Sequence, residues 1–584
     1  MSSATLSSVA ESPLATHIHS AFTALVSGSP ATPILTILAA LVPYILYKAY
    51  KAVAIPAELA HLPRVPIKDT IRALLTPGGF PREYEVQEKA IKEWCAKHGR
   101  SGDSWRDMYL VWQFGKWGVV LGKPDLIKTF FVNVETFPKL LYSDFGMALN
   151  DKYLGVNVTL SNGSVWKQHR KITNPAFHRQ WSTQLMGDVG RTLLQQLDLT
   201  QGSPTDLFDW MQRTTLDILS LAAYGQNLDA LTDPTGDLVR LYNSIMHDLQ
   251  LPYFLLFPIL QRTRALPLVR DLSKRIDKFH AYLNSIIDKK EKEVKRRVAS
   301  GETKNEKDMD LLERMIEANL KDDGSFSRDD LRSNVVIFFI AGHDTTAATL
   351  TTAIYYMGMN LDVQAKARAE VLKVYGDIDP TLAASDFPYL TTAEQGTLNY
   401  VTYVLKEALR LYPSVSGLPL RRTAKDAVLD GVTIPKDTPI HIDTYGLQRN
   451  PKYWGADAAH FKPERWENYT PAPYATDKNA SLNQTMGATA LSEMNAVVKG
   501  EASGSIPMVP SAHNFSFIPF GGGQRFCLGQ QFSVMEQRVL LAMILARYEW
   551  KVVGNESALK GLPTTSSGVI LHPLDVKIKF ERRK

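Results

Sequence analysis

The stretch from Phe515 to Trp550, FSFIPFGGGQRFCLGQQFSVMEQRVLLAMILARYEW, constrains this chain more than any other. A glycine-rich loop leads to Cys527, and a long amphipathic helix is expected just after it. The first-turn N–H groups of a helix carry partial positive charge, which favours a nearby sulfur as thiolate, the form that binds metal. Gly521, Gly522 and Gly523 let the backbone turn tightly and pass close to a flat object. Arg525 stands two residues before the cysteine, where it can pair with an anionic group, and Phe520 is placed to shield the sulfur. A lone cysteine is usually a small buried hydrophobe; it is the setting of this one that argues for a ligand. The other cysteine, Cys95, lies far away in sequence, which argues against a disulfide framework and fits a reducing compartment.

Phe520, Gly523, Arg525, Cys527 and Gly529 match the haem-binding signature of the cytochrome P-450 superfamily, and the chain resembles that superfamily from its N-terminal anchor to its C-terminus. The resemblance implies a mainly α, helix-rich haem domain with small β-sheets. It implies haem b as cofactor, with Cys527 as axial ligand of the iron. A thiolate ligand pushes electron density onto the iron and favours O–O cleavage.

Three further motifs occur in the family's order. Ala341-Gly342-His343-Asp344-Thr345-Thr346 sits in a long apolar helix expected over Asp329 to Met359 and resembles the oxygen-activation motif. Ala341 and Thr345 share a helix face. Thr345 would offer a hydroxyl and Asp344 a carboxylate for proton relay, because splitting dioxygen needs protons. His343 is read as structural. Glu407 and Arg410, with Arg465 of FKPERW, resemble the family's ionic lock, which holds the loop leading to Cys527. Trp166 and Arg170, four apart, resemble its haem-propionate clamp. Arg421 is a second propionate candidate, although Arg422 beside it leaves the register open.

The segment from Thr32 to Tyr50 is nearly all apolar. At about 1.5 Å per residue it spans roughly 28 Å as a helix, close to a bilayer core. No Lys or Arg precedes it, whereas Lys48, Lys51, Arg64 and Lys68 follow, which puts the bulk of the chain in the cytosol. The alternative is a buried core helix. The expected organisation is a short lumenal N-terminus (1–31), a single transmembrane anchor (32–50), a proline-rich hinge (51–68) and the haem-thiolate domain (69–584). Within that domain, 468–513 is rich in small polar residues and reads as a surface insertion. The expected location is the endoplasmic reticulum membrane.

Local patterns add detail. Pro81 is expected to open a helix running to the region of His98. Gly115-Lys116 between two β-rich runs predicts a hairpin. Leu268, Leu272, Ile276, Phe279, Leu283 and Ile286 predict a long amphipathic helix. The uncharged run 251–260, followed by Arg262 and Arg264, reads either as core or as a lid that dips into lipid.

The resemblance implies a monooxygenase: an NADPH-cytochrome reductase, a flavoprotein, supplies electrons, and one atom of dioxygen enters a lipophilic small-molecule substrate. Two rivals stand beside it. A haem-thiolate isomerase or dehydratase would need no reductase, and a membrane haem protein without catalysis would need no roomy apolar pocket. A net charge of only +6, with no basic block or zinc-finger spacing, argues against a nucleic-acid partner and suits membrane lipid.

Overall fold

The structure is a computed structural model. It describes residues 50–584 apart from 101, 114, 178–180, 234–235, 252, 255–256, 306–307, 323–325, 418–420, 468–514, 555–560 and 566–569, together with 42–43 and 46–47. The expected insertion over 468–513 and most of the expected anchor over 32–50 therefore lie outside the described residues.

Helices dominate, and they are organised around one of them. This central helix, Arg328–Met359, begins where Ser327 accepts from the N–H of Asp330 and the Asp330 side chain accepts from the N–H of Ser327. That reciprocal cap satisfies two otherwise orphaned donors. Small residues through its middle let neighbours approach closely. A Cβ on Gly342 would stand 2.6 Å from the Leu219 side chain, which would have to shift where the helix meets Leu207–Tyr224. The central helix is long and apolar enough to cross a membrane, but it is buried on most sides and serves as core. It follows the expected span within one residue.

Other expectations hold with small adjustments. The helix Phe80–Lys97 carries Pro81 in its first turn. Met108–Gln113 and Lys116–Leu121 form the predicted antiparallel hairpin, with Gly115 at a φ of 75° in the turn. That hairpin continues into a four-stranded sheet through a parallel pairing with Pro439–Ile442, which in turn pairs antiparallel with Arg421–Arg422. Pro267–Ala299 buries Leu272, Ile276, Phe279, Leu283 and Ile286 as predicted. Leu268 is partly exposed, because it lies in the first turn, before the helix reaches the core.

Two stretches carry detail beyond the sequence reading. The stretch 51–68 packs against the domain. Leu59, Leu62 and Val65 are buried, and Trp112 and Trp117 donate their indole N–H groups to the carbonyls of Ala52 and Val53, each at 2.8 Å. Apolar residues between the prolines bind this stretch to the sheet. The run 251–260 divides between its two readings: Phe254 is core at 1% exposure, while Phe257 and Ile259 are exposed.

Candidate haem-thiolate site

Cys527 lies between the glycine loop and the helix Gln530–Arg547, hereafter the cysteine helix. Its N–H donates to the carbonyl of Phe520 at 3.0 Å, and the Gly521 N–H donates to Ile518 at 3.0 Å. Gly523, at a φ of 62°, presses on the backbone of Phe131; a Cβ there would stand 2.8 Å from the Phe131 carbonyl oxygen. The loop is anchored from behind. The Ile518 N–H donates to Gln448 Oε1 at 3.0 Å, and Gln448 Nε2 donates to the carbonyls of Leu409 and Arg410.

Those carbonyls belong to the helix Asn399–Leu411, which carries the ionic lock. Arg410 grips both oxygens of Glu407 at 2.8 Å, and both residues are fully buried. Arg465 Nε and Trp466 Nε1 add donors to Glu407 at 2.7 and 3.0 Å. Arg410 also donates to the carbonyls of Gln448 and Ala458. Every oxygen of this buried carboxylate is satisfied, the condition under which a buried ion pair persists. The sequence motif found Glu407, Arg410 and Arg465, but it missed Gln448, a lone glutamine with no pattern around it.

The sulfur of Cys527 is open to solvent on one side and deep within protein on the others. Burial raises the thiol pKa, against the pull of the Gly529 and Gln530 N–H groups and of Arg170. The helix end thus acts in the predicted direction, and Arg170 adds to it, but burial outweighs both in the free thiol. A metal ion at sulfur reverses that balance, because a coordinating thiol is deprotonated outright.

A cluster of cations rims the same region. Arg525 stacks 4.0 Å from the Trp166 ring and donates to the Ser161 carbonyl at 2.9 Å. Arg170 lies over the Phe526 ring at 4.9 Å. Arg421 is buried beside Phe130 and donates to its carbonyl at 3.0 Å, whereas Arg422 faces outward toward Asp144 and Asp437. The register question therefore resolves in favour of Arg421 as the inward cation. Lys139, which the sequence did not single out, joins the group through its bridge to Arg421. Burial, then repulsion from Arg421 and Arg170, pushes Arg525 down to about 9. Burial, then Arg421 and Arg525, lowers Lys139 well below its usual value.

On the central helix, Ala341 is exposed and Thr345 half-buried although both lie mid-helix within the core. The Thr345 hydroxyl donates to the Ala341 carbonyl at 2.9 Å. Thr346 meets Ser533 of the cysteine helix, Oγ to Oγ, at 2.8 Å, which ties the two helices together. Phe338 is buried and meets Phe177 edge-on at 5.0 Å.

Asp344 turns away from Thr345. It is fully buried and accepts from Gln212 Nε2 at 2.7 Å and from the Tyr242 hydroxyl. His343 Nε2 lies 3.2 Å from Oδ1, and His572 Nε2 lies 3.5 Å from Oδ2. Burial opposes its ionisation, but His343, His572 and the Tyr242 hydroxyl outweigh burial and hold the carboxyl below the usual carboxylate range. Sequence reasoning missed Gln212, Tyr242 and His572, which approach from three distant segments with no shared motif.

These residues fit haem: one accessible thiol on a rigid loop, a rim of cations suited to two carboxylates, and a small-residue face on the central helix. Among the described residues no cluster of three or more His, Cys, Asp or Glu offers a rival metal site.

Comparison with known proteins gives the same direction. The family model described as Cytochrome P450 matches residues 102–580. The chain is 26% identical over 511 residues to "Cytochrome P450 monooxygenase xanG" of Aspergillus fumigatus, covering 85% of this chain and 84% of that one. It is 26% identical over 488 residues to "11-oxo-beta-amyrin 30-oxidase" of Medicago truncatula, with 80% of each covered. It is 28% identical over 448 residues to "Protein LUTEIN DEFICIENT 5, chloroplastic" of Arabidopsis thaliana, covering 74% of this chain and 65% of that protein's length.

Proposed function

Because this chain belongs to the cytochrome P450 family, we propose that it is a haem-thiolate monooxygenase that hydroxylates a lipophilic small molecule. When bound, haem b supplies activation of dioxygen, using electrons from NADPH delivered through a flavoprotein reductase. The observation that carries the reading is Cys527 held by the Phe520 carbonyl on a loop braced from Glu407 through Gln448.

The chain's own residues then have distinct roles. Cys527 provides the axial sulfur. Trp166, Arg170, Arg421 and Arg525 orient the carboxylates of the cofactor, with Phe520 closing over the loop. Mutual repulsion among buried cations makes a dianionic rim ligand favourable there. Ala341 leaves space, Thr345 presents a hydroxyl at a mid-helix face, and Asp344 holds a negative charge one residue away for proton delivery. The intact Asp344–Thr345 pair favours the monooxygenase over a peroxide-using isomerase or dehydratase, which has no need of proton delivery to dioxygen.

The apolar run over 32–50 and the exposed Phe257 and Ile259 support attachment to the cytosolic face of the endoplasmic reticulum, with 32–50 as a single-pass anchor and lipophilic substrate entering from the bilayer. Reaction with oxygen-18 gas, NADPH and reductase against a panel of fatty acids, sterols and terpenoids tests the activity. One labelled oxygen atom in the product, only when reductase is present, is the expected result. Product formed without reductase, or carrying no label, contradicts it.

A further inference from the structure

Ser414 stands three residues beyond the end of the helix Asn399–Leu411 and is buried. Its hydroxyl donates to the Thr345 carbonyl of the central helix at 3.0 Å and lies 2.9 Å from Thr349 Oγ1. Thr349 donates to the same carbonyl at 2.8 Å, so two hydroxyls converge on one backbone oxygen. Ser414 is itself held on its backbone side. Its carbonyl accepts from the Leu571 N–H at 2.9 Å, and Val415 beside it bridges Ile570.

The turn that Ser414 grips is weakly set by its own helix. Ala341, Thr345 and Thr349 are four apart and share a face. The Thr345 hydroxyl bonds back to Ala341, and Thr349 bonds back to Thr345. A hydroxyl that bonds back one turn competes with the helix ladder and bends it. Two such bonds in succession, with Gly342 between their first two members, leave the turn open to direction from outside. The Thr346–Ser533 contact ties the next residue to the cysteine helix, and Ser414 ties Thr345 itself.

We propose that Ser414 is a positioning residue that fixes Thr345 relative to Cys527. The element it extends already braces the cysteine loop, because the carbonyls of Leu409 and Arg410 hold Gln448, which holds the Ile518 N–H. The stretch from Leu409 to Ser414 thus reaches the cysteine loop at one end and the Thr345 carbonyl at the other. A lost Ser414 hydroxyl lets the turn 341–349 shift while the loop stays in place, and small displacements of a positioned group cost rate and coupling. The inference rests on the proposed role of Thr345, so its test includes a measurement that needs no turnover.

Ser414→Ala leaves Thr349 on the Thr345 carbonyl, so that carbonyl is not orphaned and Tm and haem content are expected to stay near wild type. Amide hydrogen exchange of the full chain, followed by mass spectrometry, is expected to rise several-fold across 341–349 and to stay unchanged across 328–340 of the same helix. Unchanged exchange across 341–349 overturns the proposal. In the reduced protein under carbon monoxide, the C–O stretching band is expected to shift or split in Ser414→Ala, with the thiolate Soret band retained. Peroxide released per NADPH with reductase is expected to rise several-fold. Thr349→Val removes the other converging hydroxyl and is expected to act in the same direction, which keeps the test open if Ser414→Ala fails to fold. A wild-type C–O band in both variants, where Thr345→Ala changes it, overturns the proposal. A C–O band that Thr345→Ala leaves unchanged defeats the reading of Thr345 instead, and the exchange across 341–349 still decides whether Ser414 positions the turn.

Discussion

The cysteine side of the site and the aspartate side are built in opposite ways. The loop from Ile518 to Cys527 is shaped by its own backbone hydrogen bonds and braced by a lock whose carboxylate, Glu407, has matched donors on both oxygens. Asp344 is equally buried, but its partners come from Gln212, Tyr242, His343 and His572, on four separate stretches of chain. The loop is thus held by local geometry and a structural ion pair, as the proposed role of Cys527 requires. The Asp344 carboxylate is held instead by side chains gathered from distant stretches of chain. The two sides meet where Thr346 touches Ser533.

The largest effect is expected where the brace is broken. Arg410→Ala leaves Glu407 without its bidentate partner in a fully buried setting, a loss of about 3–5 kcal/mol. Thermal unfolding should show it, with haem content falling in parallel; an unchanged Tm would mean that the lock does not brace the loop. Next comes Gly523→Ala, which forces a side chain against the Phe131 carbonyl at positive φ, costing about 1–3 kcal/mol. Haem affinity should fall while Asp344-dependent behaviour stays intact, and the reverse pattern would erase the distinction between the sides. Thr345→Ala belongs to the other side: haem and substrate binding should persist while peroxide released per NADPH rises several-fold. Unchanged coupling would remove Thr345 from proton delivery.

The smallest effect contrasts two buried carboxyls. Asp344 is held ionised by partners, whereas burial raises Glu536 on the cysteine helix well above its usual value, and neither of its oxygens has a hydrogen-bond partner. A raised folded-state pKa gives stability that is complete below the unfolded value of about 4.3 and declines as pH rises above it. Glu536→Gln should therefore match the wild type in Tm at acidic pH and exceed it progressively toward neutral pH. A gap that is constant with pH would show that Glu536 does not titrate differently in the fold.

The same contrast explains what the sequence revealed. The cysteine loop, the central helix and the hairpin at Gly115 were legible because their geometry follows from neighbours a few positions away; Arg465, 58 residues from Glu407, was legible only through the family's FKPERW motif. The partners of Asp344 were not, because a glutamine at 212, a tyrosine at 242 and a histidine at 572 carry no shared spacing. Lys139 was hidden for the same reason: only its bridge to Arg421 brings it to the cation cluster. The run 251–260 resisted a single reading because Phe254 and Phe257, three apart, have opposite fates, one core and one surface.

The most direct test concerns the sulfur. Reduced protein under carbon monoxide is expected to show the red-shifted Soret band of thiolate coordination, to keep it in Cys95→Ala and to lose it in Cys527→Ala. Retention of that band by Cys527→Ala would contradict the assignment of Cys527 as the iron ligand and, with it, the site built around it.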